Sequence, residues 1–79
     1  MIKEMIARTR VKTGITTYIV KYESGARREL RHNDNWPMSV VKFFTSEDTI
    51  RTEDQIIGTV EDYKVRREVF ISRKEYEEA

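Results

Sequence analysis

The chain reads as a mainly β protein (β or α+β), built as a single small antiparallel sheet or barrel of about five strands with short helical turns. Three observations predict this. Apolar and polar residues alternate with a period of two over several runs, those runs are rich in Thr, Ile, Val and Tyr, and glycine or polar clusters punctuate them. The hydrophobic share of 38% is low beside a charged share of 37%, yet eight aromatics and ample Ile and Val argue against wholesale disorder and for a thin, well-patterned core.

Taken in order, Met5, Ala7, Thr9, Val11 and Thr13 alternate with Ile6, Arg8, Arg10 and Lys12, a strand with one basic face; the first few residues read either as its beginning or as a short helix. Gly14 signals a turn. Residues 15–22 form the clearest strand, with Thr16, Tyr18, Val20 and Tyr22 on one face and Ile15, Thr17, Ile19 and Lys21 on the other. Glu23-Ser24-Gly25-Ala26 is a tight connection, in which Gly25 can take positive φ, and residues 27–32 return as the second arm of a hairpin. His32-Asn33-Asp34-Asn35 is polar turn material. Ahead of Trp36-Pro37, Asp34 or Asn35 could cap a short helix that puts Trp36, Val40 and Phe43 or Phe44 on one side. Val40-Val41-Lys42-Phe43-Phe44 has strand composition, and a strand is preferred there. Residues 46–54 read as a loop, with a weak capping box in Thr52 and Gln55. Residues 55–60 read as a short strand with a bulge at Gly58. Val65 to Ile71 alternates as a last long strand, and Ser72 with Glu75 is a capping box for a C-terminal helical turn.

Seventy-nine residues make one compact domain, 1–79, with no boundary, linker or low-complexity segment. The absence of cysteine removes disulfides, thiolate metal sites and nucleophilic thiols, and makes a cytoplasmic setting the expectation. No apolar run approaches a membrane span, and no membrane partner is expected. The near-neutral total of +1 conceals a strong asymmetry. Residues 1–32 carry eight cations against three carboxylates, +5, whereas residues 33–63 carry two against seven, −5. Such a dipolar chain suits gripping a partner better than chemistry.

Catalytic constellations are correspondingly thin. The single histidine, His32, has no second histidine or cysteine with which to hold a metal, and there is no nucleophile elbow or phosphate-cradling glycine loop. The pairs Glu47-Asp48, Glu53-Asp54 and Glu61-Asp62 lack the spacing of a calcium loop and read as solvated acidic loops. No catalytic residue, metal or cofactor is expected, and the chain is read as a non-enzyme.

The run Tyr18-Ile19-Val20-Lys21-Tyr22-Glu23-Ser24-Gly25-Ala26-Arg27-Arg28-Glu29-Leu30 resembles the central hairpin of Tudor-like small barrels, in which an aromatic-rich strand turns at an acidic-glycine corner. The remaining members of an aromatic methyl-lysine cage are not found, so the resemblance implies a small-barrel hairpin and no ligand.

Two binding functions remain. The first is a small regulatory or inhibitory protein that occupies a larger protein partner, through Trp36 as an anchor and the carboxylates Glu47, Asp48, Glu53 and Asp54. Its size and composition are similar to those of inhibitors that bacteriophages direct against host enzymes or defence systems. The second is a module for single-stranded nucleic acid using Arg8, Arg10, Lys12, Arg27, Arg28 and Arg31 for phosphates and Tyr18 and Tyr22 for stacking. Pairing of an edge strand with a second copy is a further option, since open edges template such pairing.

Overall fold

The structure, a computed structural model, describes residues 1–55, 59–60 and 63–78. Five antiparallel strands form one sheet: β1 (Ile2–Arg10), β2 (Thr16–Tyr22), β3 (Arg27–Arg31), β4 (Thr49–Asp54) and β6 (Tyr63–Ser72), in the order β3-β2-β1-β6-β4. The two-residue strand β5 (Thr59–Val60) pairs with the start of β6. Two short helices complete the fold, α1 (Met38–Thr45) and α2 (Arg73–Glu78).

The hairpin forms where its local signals place it. Gly25, at φ 90°, occupies the turn between β2 and β3, and its N–H donates to the Tyr22 carbonyl at 3.0 Å. Positive φ costs a side chain more than it costs glycine, so the tight reversal is set locally. At the far end of the chain the Glu75 N–H donates to Ser72 Oγ at 3.2 Å, the expected cap of α2.

Elsewhere the tertiary structure corrects the sequence reading. Residues 38–45 are helix, not strand. Pro37 precedes the helix with no side-chain cap, and its carbonyl accepts from the N–H groups of Val40 and Val41. Asp34 does not cap that helix either, because its Oδ2 accepts from the Arg31 N–H at 2.7 Å. The reason is tertiary. A strand would send Val40 and Val41 to opposite sides, whereas a helix brings Val40 and Phe43 onto one face, where they cover a sheet that has no second sheet to pack against. Residues 49–54 are strand rather than loop: β4 pairs with β6 from Thr49↔Ser72 to Asp54↔Arg67, and Thr52 Oγ1 donates to the Val69 carbonyl instead of capping a helix. Gly58 lies outside the described residues, as do Glu61 and Asp62. β1 ends at Arg10, so Lys12 sits in the following turn. Among the described residues the sheet is open, with β3 and β4 at the ends of its strand order, and no barrel of the Tudor-like kind closes.

The chain crosses from one edge of the sheet to the other through α1, which covers one face. Met5, Ala7, Val20, Leu30 and Phe70 point to that face and close the core with Val40, whose full burial contributes about 1.5–3 kcal/mol. The alternate residues form the open face. At its centre Ile6 and Ile19 lie opposite each other and are 2% and 3% exposed. Among the described residues no helix is long and apolar enough to cross a membrane.

Candidate functional site

The open face is where the register assembles charge. In antiparallel strands directly opposed residues share a face. One cross-strand row therefore reads Arg31, Thr17, Arg8, Arg67, Asp54 across β3, β2, β1, β6 and β4. The neighbouring row reads Glu29, Ile19, Ile6, Val69, Thr52, an apolar floor beside the arginines. Arg10 follows Arg8 on the same face, opposite Val65.

Two features of this row are costly to the fold. Arg8 and Arg67 are like charges in direct opposition, which destabilises a strand pair. Arg67 is also half-buried, and its Nε is shielded from solvent with no hydrogen-bond partner. Arg8 and Arg31 are exposed, and neither forms a side-chain ion pair among the described residues. Arg8, Arg10 and Arg31 converge on a recess of about 430 Å³ whose other walls include Thr13, Ile15 and Thr17. Ile15 is 58% exposed at the rim of this recess.

The remaining cations and aromatics named from sequence divide between the faces. Arg27 points to the open face with Arg31 and pairs with Glu29 at 3.3 Å, while Arg28 lies on the helix-covered face. Tyr18 and Tyr22 are on that covered face too, half-buried against the core, so they do not interleave with Arg8 and Arg10.

Trp36 docks on Tyr18 edge to face, with ring centres 4.6 Å apart, and its Nε1–H donates to the Arg31 carbonyl at 2.9 Å. Phe44 completes the cluster, 6.0 Å from Trp36 and 4.9 Å from Phe70. Half-buried, Trp36 thus ties the start of α1 to the end of β3 while leaving part of its ring accessible.

The acidic residues do not make one patch. Glu47 and Asp48 form the turn before β4, and Glu53 and Asp54 lie at its far end, about 17 Å away at ~3.4 Å per residue. Glu53 is bound to Arg51 at 3.4 Å on the covered face, and Arg51 also pairs with Glu68, whereas Asp54 lies on the open face across from Arg67. Among the described residues no group of three or more His, Cys, Asp or Glu is placed to hold a metal ion.

Arg67, Ile15 and Thr17 were not singled out as site residues by sequence. Arg67 is forty residues or more from its row-mates Thr17 and Arg8, and nothing short of the β1–β6 register reveals the pairing. Comparison with protein-family models finds no match, and no curated protein or solved structure matches the chain.

Proposed function

We propose that this protein acts by binding rather than by catalysis, and that its ligand is a nucleic acid held on the open face of the sheet. The observation that carries this reading is the opposition of Arg8 and Arg67 in one row with Arg31. Like charges set directly against each other cost stability in the free protein, and phosphates lying over the row relieve that repulsion through charge-assisted hydrogen bonds. The test is a titration against labelled single- and double-stranded DNA and RNA at about 50 and 200 mM salt. Saturable binding that weakens steeply at the higher salt and is lost in Arg8→Glu and Arg31→Glu supports the reading. No binding at the lower salt refutes it.

A second reading, a regulator or inhibitor that occupies a protein partner, is favoured by a different surface. The outward side of α1 exposes Met38, at 66%, and Val41, with Trp36 at one end of the helix and Glu47 and Asp48 at the other. A separate apolar groove of about 580 Å³ lies along another side of the helix, lined in part by Met1, Ile2, Tyr22 and Phe43. An activity lost on Met38→Asp and Val41→Asp but retained in Arg8→Glu assigns function to this surface instead.

A further inference from the structure

Three open recesses follow one another around the strand ends of β2 and β3, each sharing lining residues with the next. The arginine recess on the open face shares Ile15 and Arg31 with a second recess of about 620 Å³, which runs past Gly14, His32 and Asn33. That recess in turn shares Tyr18 and His32 with a third, shallow one of about 270 Å³, lined also by Asp34, Trp36 and Phe44 on the helix-covered face. The result is a recessed path from a cluster of guanidinium groups to a cluster of aromatic rings. It turns around the end of the sheet rather than lying flat on it.

We infer that this path is a track for single-stranded nucleic acid, with a phosphate seated among Arg8, Arg10 and Arg31 and an unpaired base lodged against His32 and the accessible part of Trp36. The inference rests on the nucleic-acid reading above and sharpens it. Chemistry orders the track. Three guanidinium groups at one end outnumber the single carboxylate there, Glu29, which Arg27 pairs at 3.3 Å, and fit phosphate oxygens, while at the other end the Asp34 carboxylate stands with no guanidinium beside it in the lining and leaves that end to the base. The Asp34 Oδ2 is already held by the Arg31 N–H at 2.7 Å, and the Trp36 Nε1–H by the Arg31 carbonyl at 2.9 Å, so the same residue that supplies a phosphate ligand anchors the aromatic end. Shape selects the strand state. A duplex is stiff over about 150 base pairs and keeps its base faces stacked inside, so it cannot bend around the sheet end or offer a base to the rings, whereas a single strand can do both.

Trp36 is the only tryptophan, which makes the test direct. Its fluorescence is followed, beside the anisotropy of a labelled oligonucleotide as an independent measure of binding, while the protein is titrated with a 12-mer of oligothymidylate and with a 12-base-pair duplex at about 50 mM salt. The expected result is saturable quenching by the single strand, affinity for the duplex weaker by about tenfold or more, and a loss of about fivefold in single-strand affinity for His32→Ala. His32 is exposed, so that variant keeps its fold, and circular dichroism checks it. Single-strand binding that leaves Trp36 fluorescence unchanged, an unaltered affinity in His32→Ala, or equal affinity for the duplex overturns the track while the basic-face reading stands. No binding of either oligonucleotide overturns both.

Discussion

Replacing Arg8 by glutamate should make the protein more stable while removing the nucleic-acid binding proposed above. Arg8 is exposed at the middle of the sheet and opposes Arg67 across the β1–β6 pair. A like-charged cross-strand pair costs on the order of 0.2–1 kcal/mol and an opposite-charged one contributes a similar amount, so reversing one partner shifts stability by about 1 kcal/mol. The gain draws on two further cations, since Arg10 lies on the same strand face and Arg31 lies one strand beyond Thr17 in the same row. At roughly 2.1 cal/mol/K of unfolding entropy per residue, 79 residues convert about 1 kcal/mol into a rise of about 6 °C in Tm. Thermal melts followed by circular dichroism at about 50 mM and 1 M salt measure it. The gain should be largest at low salt and collapse at the higher concentration, where the screening length falls to about 3 Å. A Tm that falls in Arg8→Glu at low salt, or rises equally at both salts, refutes the argument that Arg8 and Arg67 repel each other more than Asp54, across from Arg67, offsets. A replacement that improves the fold and abolishes binding would assign Arg8 to the ligand and not to the fold.

Other expectations follow from separate parts of the structure. If the strand that enters the recess lays about four phosphates in all along the open face, near Arg8, Arg10, Arg31 and Arg67, single-strand affinity should fall about 50-fold between about 50 and 200 mM salt, read as the slope of log K against log salt. Val40→Ala, at a fully buried position on α1, should cost about 2 kcal/mol in urea unfolding, which separates a helix that closes the core from one that merely lies on it. Gly25→Ala should cost about 1–2 kcal/mol; an added Cβ meets nothing within 4 Å, so the whole penalty comes from holding φ near 90°. Ser72→Ala removes the oxygen that accepts the Glu75 N–H and should lower stability by about 1 kcal/mol, measured by the same unfolding.

The covered face and the open face answer different physical demands. α1 supplies the apolar cover that one side of the sheet requires, and among the described residues no helix lies over the other side. Ile6 and Ile19 still become buried there, next to the row of long arginine side chains. Arginine stems are apolar and can shelter such a floor while their heads stay in water. The basic face is therefore compatible with the fold as well as suited to an anion.

Local chemistry made much of this protein legible from its sequence. The β2–β3 hairpin follows from a β-branched and aromatic run ending at a glycine with positive φ, the long alternating strand β6 from its period of two, and the α2 cap from Ser72 and Glu75. Each of these depends on interactions within a few residues. Only the tertiary structure decided the rest. Val40 to Phe44 carries strand composition and forms a helix because the sheet needs a cover that a helix provides in one turn and a half. Residues 49–54 look like an acidic loop and form a strand because β6 presents an unsatisfied edge. The sequence placed Arg8, Arg10 and Arg31 in one basic region, but it could not set Arg67 against Arg8, move Tyr18 and Tyr22 to the opposite face, or separate Glu47 and Asp48 from Glu53 and Asp54. Those arrangements follow from strand order and register. A shift of one residue in register moves every side chain of a strand to the other face, so the composition of a face is decided between strands and not within them.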